Sequence, residues 1–101
     1  MQHFIAERRL LYSLKGSDVR QEFSIRLGVP YTVEEDTVGH PAGKGAAGCH
    51  VELRGLEDAC PDVYGVDSLQ AVNLASNVEP LLRRLQKKYD LFWLSGDPYF
   101  E

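Results

Sequence analysis

The chain has 101 residues, of which 44% are hydrophobic and 26% charged, proportions typical of a folded domain rather than a disordered segment. A chain of this length supports one hydrophobic core, so we expect a single domain over residues 1–101. With 11 basic against 15 acidic side chains and a net charge of −4, it lacks the positive excess that nucleic acid requires, and a basic protein is the more natural partner.

The N-terminal part has the two-residue periodicity of β-strands. Over residues 4–14 the apolar side chains fall mainly on one parity, with Arg8 as the exception. Turn-forming residues 15–18 lead into a second strand, in which apolar and polar residues alternate over residues 19–29. This pattern predicts a β-hairpin whose regular pairing ends at Pro30.

The central part combines a predicted loop with two further strands. Residues 34–48 contain an acidic run, Pro41 and four glycines without sustained periodicity, which predicts a mobile loop. Alternation resumes over residues 49–54 as a third strand that Gly55 closes. The stretch DVYGVD, residues 62–67, is long enough for a short fourth strand.

From Ser68 the apolar period changes to three and four residues and continues to Tyr89, which predicts a long amphipathic helix. Pro80 lacks an amide hydrogen and should clash with the carbonyl of Ser76, so we expect one kinked helix rather than two. Basic residues follow in the last turns, where they oppose the negative end of the helix dipole: Arg83, Arg84, Lys87 and Lys88. The tail over residues 90–101 supplies a last strand or a cover for the core.

These elements predict an α+β fold, a two-layer domain in which an antiparallel β-meander of three to five strands is packed by one long C-terminal α-helix. No apolar run reaches the roughly 18 residues that a membrane span needs. The two cysteines, Cys49 and Cys60, and a charged N-terminus unlike a signal peptide predict a cytoplasmic protein with reduced thiols.

The stretch YGVDSLQAV, residues 64–72, contains a serine framed as Gly-x-Asp-Ser-Leu. It resembles the sequence around the serine of acyl and peptidyl carrier proteins that receives phosphopantetheine. Carrier proteins are helical bundles with an acidic recognition helix, whereas strands precede Ser68 here and the following helix ends in basic residues. Capping explains the motif more simply, because Asp67 or Ser68 can accept a hydrogen bond from a free amide of the first helical turn.

Two other patterns lack the context that their chemistry requires. The stretch GKGAAG, residues 43–48, fits G-x-G-x-x-G, but a strand follows it where a dinucleotide site needs a helix. The metal-ligand types are His40, Cys49, His50 and Cys60. Their spacing lacks the close pairs of zinc sites, and Cys49 and His50 point to opposite sides of one strand, which also disfavours a nucleophilic pair. We expect no cofactor, no metal and no catalytic residue.

Candidate partner-binding residues come from acidic turns and from the aromatic tail. Two acidic segments would suit a basic partner if they converge in space: Glu34, Glu35 and Asp36, and Glu57, Asp58 and Asp62. Trp93 and Phe100 are of the residue types that dominate binding energy at interfaces. Arg8, on the apolar parity of its strand, marks a buried ion pair or a site, or lies at the sheet rim with its stem packed.

Five stretches carry a resemblance to a known family: FIAERRL, EFSIRLG, GCHVELRG, YGVDSLQAVNLA and LQKKYDLFW. Through them nearly the whole chain resembles a group of small bacterial proteins of about its own length that have no assigned function. The resemblance implies a sheet followed by the helix that begins with the G-x-D-S-L-Q-A motif. It supplies no catalytic or ligand residues.

The sequence therefore predicts a non-enzymatic protein-binding module, for instance an immunity or antitoxin-like inhibitor of a basic partner. The alternative is a small-molecule-binding or enzymatic domain with a pocket between sheet and helix, in which Arg8, His50 or Ser68 supply polar groups. A homodimer formed through an open sheet edge or an exposed sheet face is compatible with either function.

Overall fold

The computed structural model of the chain describes residues 3–33, 45–58 and 60–100. Within these residues the elements follow one another as β1 (Phe4–Leu14), β2 (Gln21–Gly28), β3 (Tyr31–Thr32), β4 (Ala47–Cys49), β5 (Val51–Arg54), β6 (Val63–Gly65), α1 (Ser68–Ser76), α2 (Glu79–Leu85) and β7 (Tyr89–Phe92). The α+β class is confirmed. The strands form two antiparallel sheets, in the orders β5-β2-β1-β7 and β3-β4-β6.

The larger sheet is built on the predicted hairpin of β1 and β2. Leu10 lies opposite Phe23 in the register of the two strands, and both side chains are buried. Gly16 forms part of the connecting turn with a φ of +84°, a backbone conformation that glycine adopts without steric cost. The predicted inward parity of the first strand holds only in part, since Ala6 and Leu14 are exposed.

The smaller sheet differs from the single meander of three to five strands that the sequence predicted. The predicted third strand divides at His50, so that β4 belongs to the smaller sheet and β5 to the larger. The amide of Gly28 donates to the carbonyl of His50 over 2.8 Å, which joins the divided strand to the end of β2. Residues 46–48 were predicted as part of a loop, but Ala46 is buried and Ala47 begins β4.

The helical stretch begins at Ser68 and is bent, as predicted, but the bend is a break at residues 77–78 that separates α1 from α2. Pro80 lies in the first turn of α2. Backbone amides of the first turn make no hydrogen bond within the helix, so the amide hydrogen that proline lacks is not needed there. The break therefore precedes Pro80.

None of the helices in the described residues is long and apolar enough to cross a membrane.

The core joins both sheets to both helices. α1 packs closely on β6, where a Cβ added to Gly65 would lie 2.6 Å from the backbone nitrogen of Ala71. The largest fully buried side chains come from β1, β2, β4 and α2: Leu10, Phe23, Ile25, Cys49, Leu82 and Leu85. This packing covers the inward side of β4 and leaves the other side of the smaller sheet exposed.

Candidate functional site

The exposed side of the smaller sheet carries a row of aromatic residues. Tyr31 on β3 and Tyr64 on β6 both lie opposite Gly48 of β4, so the three residues cross the sheet in one line. The two tyrosines are 40% and 37% exposed. Alternation along the strands places them on the side opposite the buried Cys49.

Gly48 allows the ring of Tyr31 to lie across the sheet. A Cβ built on Gly48 would lie only 2.5 Å from Cζ and 2.6 Å from the hydroxyl oxygen of Tyr31. Any side chain at Gly48 would occupy the space that the ring fills. The absence of a side chain at this position lets the Tyr31 hydroxyl reach over β4 towards the segment that enters β6.

Asp62 links the aromatic row to His50. One carboxylate oxygen of Asp62 accepts a hydrogen bond from the Tyr31 hydroxyl, and the other lies 2.8 Å from Nδ1 of His50. Because a carboxylate only accepts, Nδ1 carries the proton in this pair. We call the surface formed by Tyr31, His50, Asp62 and Tyr64 the Tyr–His face. Its members come from β3, from the junction of β4 and β5, and from β6 and the residue preceding it.

The network fixes the protonation of two of its members. Partial burial acts to raise the pKa of Asp62, but hydrogen bonds from Tyr31 and His50 outweigh it, and the pKa lies below its usual value. Burial and then the hydrogen bond to Asp62 raise the pKa of Tyr31 well above the usual range for tyrosine. At neutral pH Asp62 is therefore charged, and Tyr31 is a neutral hydrogen-bond donor.

This arrangement positions aromatic groups rather than assembling a nucleophile. Both oxygens of Asp62 are engaged, so the carboxylate holds Tyr31 and His50 in place. The neighbouring Cys49 is buried, contacts the carbonyl of Gly28 at 3.4 Å, and lies on the other side of the strand. Burial, together with the charge of Asp62, raises the pKa of the Cys49 thiol, which disfavours the reactive thiolate.

The predicted acidic residues do not form one described surface. Glu34, Glu35 and Asp36, like His40 among the predicted metal-ligand types, lie outside the described residues. Glu57 is exposed, and Asp58 pairs with Arg84 of α2 over 3.4 Å. This ion pair partly neutralises the second acidic segment.

The predicted aromatic residues of the tail pack together on a different part of the molecule. The rings of Trp93 and Tyr99 lie 4.6 Å apart, and Tyr99 contacts Phe100 edge-on at 4.9 Å. Trp93 remains 41% exposed. Arg8 is exposed, donates to the Tyr99 hydroxyl over 2.9 Å and lies 5.6 Å from the Trp93 ring centre. Among the described residues it has no buried ion pair. The guanidinium carbon of Arg83 lies 4.1 Å from the centre of the Phe100 ring.

The remaining sequence candidates are the residues at the start of the helical stretch and the metal-ligand types. Asp67, rather than Ser68, is the N-cap of α1, since its carboxylate accepts from the Gln70 amide over 2.8 Å. Ser68 is the first residue of the helix. In the part of the chain that the structure describes, no three histidine, cysteine or carboxylate side chains are grouped to hold a metal ion. Cys60 is partly buried, which raises the pKa of its thiol.

Comparison with known proteins adds no relative from which a role can be transferred. No protein-family model, curated protein or solved structure matches the chain. The functional argument therefore depends on the geometry of the Tyr–His face. Two of its members are candidates from the sequence, His50 as a polar group and Asp62 as part of the second acidic segment, but the sequence does not predict their contact.

Proposed function

We propose that this protein is a non-enzymatic protein-binding module that contacts its partner through the Tyr–His face. The observation that supports this most directly is that two partly exposed tyrosines and an imidazole flank one carboxylate, which bonds to Tyr31 and His50. Tyrosine is enriched among the residues that dominate binding energy. Side chains already fixed in place lose less conformational entropy on binding, so the same contacts yield higher affinity.

Charge favours a basic partner. The chain has a net charge of −4, and Asp62 stays ionised at the centre of the Tyr–His face. In the sequence, the acidic run Glu34–Asp36 follows β3 after a single residue, next to the strand that carries Tyr31. Complementary charge mainly accelerates association and rejects wrong partners. An immunity or antitoxin-like inhibitor of a basic protein is a module of this kind.

The proposal is tested by native mass spectrometry of the protein purified gently from its own cells. We expect a complex with one basic polypeptide that weakens as the salt concentration rises. Tyr64→Ala should reduce the complex at least tenfold, because it removes an exposed ring from the Tyr–His face. Trp93→Ala is the matched control, since it removes an equally exposed ring from the tail, and should leave the complex intact.

Three results would overturn the proposal. The first is recovery of the wild-type chain only alone or only with itself. The second is a complex that survives Tyr64→Ala but is lost with Trp93→Ala, which would place the contact surface on the tail. A covalent adduct of the denatured chain at Ser68 would instead support the carrier-protein interpretation.

A further inference from the structure

A second feature of the molecule is a groove between the β1–β2 hairpin and the break between α1 and α2. Its volume is about 140 Å³. Apolar side chains from both strands and from the break line it: Ala6, Ile25, Leu27 and Val78. Arg8 and Ser76 supply polar groups, and Glu7 also borders the groove.

Arg8 differs from its two charged neighbours on β1, Glu7 and Arg9, in having no ion pair among the described residues. The carboxylate of Glu7 pairs with Arg26 over 2.7 Å, and Arg9 pairs with Glu22 over 2.7 Å. Both pairs border a separate, polar groove on the other side of the larger sheet. No carboxylate among the described residues forms an ion pair with Arg8.

Arg8 is nevertheless held in place. One of its terminal nitrogens donates to the Tyr99 hydroxyl over 2.9 Å, and its guanidinium lies beside Trp93. A guanidinium has five donors in a planar fork that matches a carboxylate. The bond to Tyr99 uses one of them. The groove therefore combines an anchored cation with an apolar wall.

We propose that this groove binds a short aliphatic carboxylate, with Arg8 contacting the carboxylate and the apolar residues contacting the hydrocarbon chain. The volume lies below the roughly 300 Å³ at which pockets for drug-sized ligands begin, which limits the ligand to a few carbon atoms. An inorganic anion would leave the apolar walls without a contact. The groove does not share a residue with the Tyr–His face, so this site is independent of the proposed protein partner.

Butyrate is the probe for a titration of the ¹⁵N-labelled full chain followed by two-dimensional NMR. We expect saturable shifts of the amides of Ala6, Leu27 and Val78. Butan-1-ol, which has the same chain length and no charge, should bind at least tenfold more weakly. Arg8→Met keeps a long apolar stem and removes the charge, and should weaken butyrate binding at least tenfold.

Arg9→Met is the matched control, because it removes the same charge one residue away on the other side of the sheet, and it should leave the butyrate affinity within twofold of wild type. Equal affinity for butyrate and butan-1-ol in the wild-type chain would overturn the proposal. So would equal loss in the two arginine variants, or a response without saturation. The comparison of the two probes uses the unmodified protein and decides the question even where a variant fails to fold.

Discussion

Gly48→Ala tests the geometry that the Tyr–His face depends on. The new methyl group would lie 2.5 Å from Cζ of Tyr31, closer than non-bonded carbon atoms approach. Gly48 does not have a positive φ, so the substitution creates no backbone strain of its own. The Tyr31 ring must move instead, and its hydrogen bond to Asp62 must lengthen or break.

The size of the effect follows from opposing contributions. Overpacking costs about 1–3 kcal/mol, and a hydrogen bond to a charged group contributes about 1.5–3 kcal/mol when fully formed. Alanine in a strand is favoured over glycine by about 0.5–1 kcal/mol. Because Tyr31 is partly exposed and its ring can rotate outwards, we expect a net loss of about 1–3 kcal/mol in the free energy of unfolding.

A double-mutant cycle measured by urea denaturation isolates this contact. In a Tyr31→Ala background the ring is absent, so Gly48→Ala should be neutral or stabilise the protein by up to about 0.5 kcal/mol. The coupling between the two positions should then be about 1 kcal/mol or more, within the range seen for contacting residues. An equal loss from Gly48→Ala in both backgrounds would refute the crossing of Tyr31 over Gly48.

Three further predictions concern the supports of the fold and of the Tyr–His face. Asp67→Ala removes the N-cap of α1 and should cost about 1 kcal/mol in urea denaturation, whereas Ser68→Ala should cost much less. Gly65→Ala directs a Cβ at the backbone nitrogen of Ala71, which cannot rotate away, and should cost about 2–3 kcal/mol in the same assay. Because folding lowers the pKa of Asp62 from 3.8, its ionisation stabilises the protein above the unfolded pKa. The stability difference from Asp62→Asn should therefore be constant above about pH 5 and shrink as the pH falls below it, through the unfolded pKa and then the lowered folded pKa.

Each of these has a contradicting result. Equal losses from the two alanine variants at positions 67 and 68 would remove Asp67 as the cap. An unchanged denaturation midpoint for Gly65→Ala would contradict the close approach of α1 to β6. A difference between wild type and Asp62→Asn that stays constant with pH would mean that folding does not lower the pKa of this carboxyl group.

The sequence predicts the regular parts of the fold because their periodicity extends over many residues. The alternation in residues 21–28 matches β2, and the change of period at Ser68 marks the start of α1. The division of one predicted strand between two sheets has no such signal. The two-residue apolar period runs without interruption from Cys49 across the polar His50 to Val51, although the chain changes sheets at His50.

Most of the Tyr–His face could not be predicted from the sequence, for a related reason. Strands of two or three residues, such as β3 and β6, are too short to establish a period. The spacing of two between Gly48 and His50, and between Asp62 and Tyr64, does place each pair on one side of a strand. That spacing cannot show that the two strands are neighbours, which depends on the long-range pairing of β4 with β6.

Arg8 interrupts the apolar parity of β1, and this deviation from the sequence pattern marks a feature of the surface. A charged residue on the apolar parity of a strand must pair with an opposite charge, extend to solvent or interrupt the core. The structure shows the second outcome, and the helix break at residues 77–78 forms the facing wall of the groove that Arg8 borders. The same side chain also anchors Tyr99, so Arg8→Met with Arg9→Met as its control measures both the ligand site and the attachment of the C-terminal tail.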